Sequence, residues 1–151
     1  MPDLDLVLQV LAYAGVGVAI LLAGFHVIDL LTPGHLGRHV AAGNPNACLL
    51  AASALVSLGL VLWFAIFFTG AGWGGLVDVA VFGVVAIAAQ ALGFVLLDVL
   101  VPGDLRHAAM GGHHDEEGQA ALHDRPAFHA AAGVAAAVHV AVALVVCASL
   151  T

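Results

Sequence analysis

Two aspartates, Asp29 and Asp98, are the residues of this chain best placed by type and spacing to do chemistry. Each ends a long apolar run and is followed four residues later by Pro-Gly. A carboxylate within a bilayer costs about 2.5–3.5 kcal/mol even on insertion scales, so it needs a compensating partner or task. Two interpretations are open. The aspartates form a paired site for a proton or cation, or each one hydrogen-bonds the loop that follows it.

Two histidines could join such a site. His26 precedes Asp29 by three residues, which places both side chains on one face of a helix. An aspartate can orient a neighbouring imidazole or share a proton with it. His139 lies near the middle of the last apolar run, where an imidazole needs a partner and is expected to face the protein interior. For His26, the alternative is a packing residue held by a hydrogen bond.

Metal or haem binding is a further interpretation of the histidines. His26 and His139 could ligate a b-type haem only at equal depth in the membrane, and His26 lies nearer the end of its helix. Segment 107–125 is acidic and rich in histidine, but it lacks a fixed ligand spacing, which favours a solvated loop. Its weak candidate ligands are His113, His114 and Asp115. We predict no bound cofactor.

The composition indicates which solvent surrounds these residues. Of the 151 residues, 63% are hydrophobic and 9% are charged, whereas soluble domains carry roughly a quarter charged residues. About 20 apolar residues cross the hydrocarbon core as a helix. The sequence therefore predicts an all-α integral membrane protein with four transmembrane helices. Their predicted ranges are about 6–31, 46–69, 75–101 and 126–150.

The chain contains an internal repeat. Segment 24–36 recurs 69 residues later as segment 93–105, with seven of thirteen positions identical. Because each copy contains two spans, both halves enter the membrane in the same orientation. We predict a single membrane domain over 1–151, built from two parallel two-helix repeats at about 6–69 and 75–150. The two aspartates then lie at the same membrane face.

Small residues spaced four apart predict where helices approach closely in lipid. Two such pairs occur, Ser53 with Ser57 and Gly133 with Ala137. In a chain so rich in alanine and glycine the spacing arises easily, so its specificity is low.

The arginines predict the orientation and the partners. Arg38, Arg106 and Arg125 all lie in the connections 32–45 and 102–125. By the positive-inside rule both connections are cytoplasmic and both termini are outside. The chain is thus predicted to be a multi-pass protein of the bacterial inner membrane. A net charge of −7 argues against nucleic acid, which leaves lipid, further copies of the chain or other membrane-associated proteins as partners.

A motif surrounds the first connection and returns in part after the third span. It consists of Asp29, Pro33, Gly43 and Asn44, repeated as Asp98 and Pro102. In this pattern the chain resembles the YjfL-like bacterial inner-membrane family, domain of unknown function 350, over about residues 6–150. The resemblance implies four spans without an established activity, and a link to phage-shock-like and polyamine-related partners in envelope stress. The second repeat lacks Gly-Asn and carries the acidic, histidine-rich stretch instead.

Three functional hypotheses follow. The leading one is a non-enzymatic structural or signalling subunit whose cytoplasmic face binds partners. The alternative is a small proton, cation or metal transporter or channel that uses the carboxylates and histidines Asp29, Asp98, His26 and His139. The third is a haem or metal redox subunit. The sequence contains no nucleophile–base pair, phosphate loop or nucleotide motif, so we do not expect an enzyme.

Overall fold

Five helices make up the part of the chain that the computed structural model describes, which is residues 3–32, 35–70, 72–100 and 130–150. They are α1 (Leu4–Leu31), α2 (Leu36–Ala41), α3 (Pro45–Phe68), α4 (Trp73–Leu100) and α5 (Ala130–Ser149). All except α2 are long and apolar enough to cross a membrane. The predicted all-α protein with four transmembrane helices is confirmed.

The helix ends follow from local signals. Pro45 occupies the first turn of α3 after the capping residue Asn44, a position where the missing N–H of proline has no cost. Before α4, Gly70 and Gly72 have φ values of +86° and +105°. Residues other than glycine rarely adopt such values. The short helix α2 was not predicted, because six residues within a connection show no period long enough to recognise.

Three apolar clusters follow one another along the bundle and reveal its direction. The first joins the end of α1 and α4 to α2 and the start of α3 and α5: Ile28, Leu36, Ala47, Leu50, Ala51, Ala54, Phe94 and Ala135. The second contains Leu58, Val61, Ala86, Ala143 and Cys147, and the third contains Ile20, Leu62, Ala65 and Val79. Helices α1 and α4 therefore run one way and α3 and α5 the other. We call the end at the first cluster the corner end, and the end at Thr69, Gly70 and Gly72, between α3 and α4, the turn end.

Equivalent helices of the two repeats pack against each other. Helix α1 contacts α4, and α3 contacts α5 over the most extensive interface of the described bundle. Since each of these pairs is parallel, the two halves are parallel repeats, as predicted.

Glycines allow the helices to approach closely, but at positions that differ from the predicted pairs. A Cβ atom on Gly24 would collide with the side chain of Leu58, and one on Gly83 would collide with Ile20. By contrast, Gly133 is exposed and faces open space. The prediction that Gly133 supports close packing was wrong, because the spacing of small residues does not say which helix face is buried.

The outer surface of the bundle is apolar, as a lipid-facing surface requires. Large hydrophobic side chains lie exposed along every long helix, and α1 is the least buried of the four. At the turn end, Trp63 and Trp73 are exposed, and Trp73 Nε1 donates a hydrogen bond to Asp5 Oδ1 at 3.3 Å. Tryptophan is enriched at membrane–water interfaces, so this placement fits a turn end that lies at such an interface.

Candidate functional site

The carboxylate of Asp29 reaches forward from the end of α1 to the start of α2. Its Oδ1 accepts a hydrogen bond from the Gly37 backbone N–H at 2.7 Å, and its Oδ2 lies 3.4 Å from His35 Nδ1. Only 16% of the Asp29 side chain is exposed. These contacts support the second interpretation of this residue, in which the aspartate holds the loop that follows it.

The position and backbone conformation of His35 explain why the Asp29 carboxylate is needed. It is the residue that precedes α2, yet its own side chain makes no capping hydrogen bond. Its φ of +65° is the one positive value at a non-glycine residue within the described part of the chain, and such a conformation persists only where neighbouring contacts hold it. Asp29 supplies both the missing cap of α2 and a contact to the His35 ring.

The Gly43-Asn44 pair forms the joint between α2 and α3. Gly43 adopts a φ of +76°, the left-handed conformation that commonly ends a helix. Asn44 Oδ1 then accepts hydrogen bonds from the N–H groups of Asn46 at 2.9 Å and Ala47 at 3.3 Å. We call residues 29–46 the corner, within which residues 33 and 34 lie outside the described part of the chain. Of the motif residues, Asp29, Gly43 and Asn44 are described, and each one acts on backbone geometry.

Replacement of Asn44 by alanine is expected to destabilise the protein by about 1 kcal/mol, the usual cost of a lost N-cap. The reason is that two backbone N–H groups at the start of α3 lose their acceptor. The matched control is Asn44→Asp, which keeps an acceptor oxygen at the same place and should retain most of the stability. Unfolding in mixed detergent micelles measures both variants, and equal losses in the two would contradict the capping role.

The other predicted site residues lie in different surroundings. Asp98 is partly buried on α4, one turn beyond Phe94, and so lies at the corner end like Asp29. His26 is exposed on the surface of the bundle, whereas His139 is fully buried. The two histidines therefore do not share one environment, which removes the geometric support for a haem held between them.

His139 contacts α3 and α4 inside the bundle. Its Nδ1 lies 3.2 Å from Ser53 Oγ, and its ring stacks on Phe94 with centroids 5.9 Å apart. The neighbouring polar residues Ser57 and Gln90 are buried as well. The interior position of His139 agrees with the prediction from the sequence. Its serine partner was not predicted, although the spacing of Ser53 and Ser57 places both on one helix face.

The metal hypothesis gains no site from the described residues, which contain no group of three or more histidine, cysteine or acidic side chains. The loop candidates lie outside that part of the chain, as do both motif prolines. These residues are His113, His114, Asp115, Pro33 and Pro102. Their predicted roles therefore stay predictions.

Comparison with known families assigns nearly the whole chain, the corner included, to one family. The model of the Domain of Unknown Function 350 family (DUF350) matches residues 3–150. The chain belongs to the DUF350 family. The predicted resemblance is thus confirmed, and the corner with Gly43 and Asn44 is part of a DUF350 domain.

Relatives of this DUF350 protein are described as transmembrane proteins. A UPF0719 transmembrane protein of Mycobacterium bovis is 38% identical over 152 residues, which cover 99% of this chain and 91% of the relative. One from Mycobacterium tuberculosis has the same identity and coverage. Another, from Mycolicibacterium paratuberculosis, is 36% identical over 104 residues, 68% of this chain and 69% of its own. No solved structure matches the chain.

Proposed function

We propose that this DUF350 protein is a non-enzymatic structural or signalling subunit of the bacterial inner membrane, and that its corner binds a partner. The observation that carries the proposal is the use of the Asp29 carboxylate. One carboxylate oxygen accepts a hydrogen bond from the Gly37 N–H and the other lies beside the His35 ring. Both contacts are within the corner, so Asp29 stabilises the conformation of the corner surface. The outward residues of that surface are exposed: His35, Arg38, Ala41, Ala42 and Gly43.

The partner that fits this surface carries acidic groups. Arg38 is exposed and forms no ion pair with any other described residue, so its guanidinium is available for a carboxylate. The partner would be another membrane-associated protein, in addition to contacts between copies of the chain within the bilayer. Through the family resemblance, the pathway would be the response to envelope stress.

The corner end would face the cytoplasm. Arg38, the one arginine within the described residues, lies there, and the positive-inside rule assigns arginine-bearing connections to the cytoplasm. A chain with both native cysteines replaced by alanine allows a test with single cysteines at Ala42 and Ser149. A membrane-impermeant maleimide added to whole cells with a permeable outer layer should label Ser149→Cys and spare Ala42→Cys. The reverse pattern would contradict this orientation.

Site-specific cross-linking tests the partner surface. A photo-reactive residue at Ala42 should give a discrete protein adduct in native membranes, whereas the same residue at Val145, which is 71% exposed on α5, should react with lipid. Arg38→Glu should lower the yield at Ala42, because it reverses the charge offered to an acidic partner. If Ala42 gives no reproducible protein adduct, the partner function fails.

Transport of protons or cations is the second candidate, and one observation favours it: His139 is a fully buried base inside the bundle. Asp29 favours it less, because its carboxylate is engaged by the corner. Purified protein in vesicles with a pH-sensitive dye tests it. Flux that disappears in the double variant Asp29→Asn with Asp98→Asn would support transport, and its absence under proton and metal gradients would exclude it.

A further inference from the structure

Three polar side chains form a layer inside the apolar bundle. Ser57 on α3, Gln90 on α4 and His139 on α5 each have an exposed fraction of 1% or less. We call these three residues the polar layer. Polar side chains inside a membrane helix bundle are expensive and are retained where they have a function or a partner.

The position of the layer is defined by the apolar clusters on either side. On α3, Ser57 lies between Ala54 of the first cluster and Leu58 of the second. On α4, Gln90 lies one turn from Phe94 and one turn from Ala86, which belong to the same two clusters. On α5, the corresponding neighbours of His139 are Ala135 and Ala143. The three polar residues therefore share one level of the bundle.

The hydrogen-bonding groups of the layer are not satisfied by the described residues. Ser57 Oγ, both amide atoms of Gln90 and His139 Nε2 are buried, and none has a hydrogen-bond partner within that part of the chain. Leaving a buried polar group without a partner costs roughly 1–3 kcal/mol in mutational data. Four such atoms at one level are a strong indication of a bound molecule that can both donate and accept hydrogen bonds.

The contacts of Ser53 favour one tautomer of His139. The Ser53 hydroxyl has a single hydrogen and two neighbours, the Leu50 carbonyl at 2.8 Å and His139 Nδ1 at 3.2 Å. The carbonyl can only accept and is the nearer of the two, so we assign the hydrogen to it and the accepting role toward Nδ1 to the hydroxyl oxygen. Nδ1 of the neutral ring is then the donor, and Nε2 keeps its lone pair. The polar layer thus contains the unprotonated Nε2 of His139 at the same level as the Gln90 amide and the Ser57 hydroxyl.

We propose that the polar layer is a binding site for water, in which a bound water donates to His139 Nε2 and links it to Gln90 and Ser57. Water fits because it donates and accepts, and a buried water typically makes about three hydrogen bonds. A cation fits poorly because, among the described residues, no carboxylate stands at this level. Spans α3 and α5 carry no acid, and the acids nearest to Gln90 on α4, Asp78 and Asp98, are two or more turns away.

This site is independent of the proposed partner function, because a subunit that carries no current can still hold bound water. It makes His139 a proton acceptor in the bundle interior, oriented by Ser53. The other titratable groups described on the four long helices are Asp5, Tyr13, His26 and Asp29 on α1, Cys48 on α3, Asp78 and Asp98 on α4, and Cys147 on α5. Of those on α1, His26 and Asp29 lie toward the corner end.

Solid-state NMR of the full chain in lipid bilayers, labelled with ¹⁵N-histidine, tests the proposal. The His139 signals are assigned by their loss in His139→Gln. We expect a protonated Nδ1, an unprotonated Nε2 and magnetisation transfer from water to the His139 ring. Ser53→Ala should abolish the preference for that tautomer. The matched control is Ser149→Ala, since Ser149 Oγ also donates to the carbonyl three residues before it but lies on the exposed surface.

The wild-type spectrum alone can overturn the proposal, whatever the variants do to folding. A protonated Nε2 with an unprotonated Nδ1 would refute the proposal. So would the absence of magnetisation transfer from water to the His139 ring. Addition of Zn²⁺ alone provides a further discrimination, because a zinc-induced shift of Nε2 at stoichiometric metal would show a metal site in place of a water site. Gln90→Leu combined with Ser57→Ala should cause loss of the water transfer, and unchanged transfer would also contradict this layer.

Discussion

Replacement of Asp29 by alanine is expected to destabilise the protein by about 1.5–3 kcal/mol, the range for a hydrogen bond to a charged group. The Gly37 N–H would lose its acceptor at the start of α2, and the His35 ring would lose its neighbouring carboxylate. Because His35 has a positive φ, the start of α2 should change conformation as well. Unfolding in mixed micelles and amide hydrogen exchange over residues 35–41 measure the two effects.

The variant Asp29→Asn distinguishes an architectural role from a proton-binding one. The amide keeps an oxygen that can accept from Gly37, so most of the stability and the exchange protection should remain. If Asp29 served mainly to bind a proton or cation, Asp29→Asn would lose that binding as completely as Asp29→Ala does. The stability of the Asp29→Asn protein would nevertheless be unchanged. A fully stable Asp29→Ala protein with native exchange in α2 would contradict the corner role.

Replacement of Gly83 by alanine is expected to destabilise the bundle by about 1–3 kcal/mol, the cost of overpacking a well-packed site. The new Cβ would meet the Ile20 side chain, which is 7% exposed and belongs to the third apolar cluster. Both Cγ atoms of Ile20 would lie 3.0 Å from the added Cβ, and their positions are set by χ1, which has one strongly preferred value for a β-branched side chain in a helix. Helices α1 and α4 would have to move apart.

Gly133→Ala is the matched control for this experiment. It makes the same chemical change in a transmembrane helix, but the added Cβ meets open space. Any gain in helix propensity, about 1 kcal/mol in water, is common to both variants, so the difference between them isolates the clash. Equal stability of the two variants would show that the contact between α1 and α4 is not close at Gly83.

The large-scale architecture could be predicted because the bilayer imposes it. Charge-free stretches of helical length determine the four spans, and the repeat of Gly-Phe, Asp and Pro-Gly implies that the halves run parallel. The corner position of Asp29 also follows, because it precedes Pro33 by one helical turn. These signals are local in sequence, so they do not depend on how the helices pack.

The contacts between helices could not be predicted in the same way. The contact of His139 with Ser53 joins residues 86 positions apart, and composition does not determine which faces of two apolar helices meet. For the same reason Gly24 and Gly83 were not identified as contact glycines, while Gly133 was wrongly expected to pack. The bond from Asp29 to Gly37 was foreseen only as a general interaction with the following loop.

The packing of equivalent helices against each other has a consequence for the origin of the chain. A single hairpin with these surfaces is self-complementary, so two identical copies could have formed an isologous dimer about a twofold axis. Fusion of the copies would make that dimer permanent and allow each half to diverge. Gln90 stands where the first repeat has Leu21, and Val95 stands where it has His26. A fused dimer can therefore hold one asymmetric polar level, whereas two identical halves would have to carry it twice.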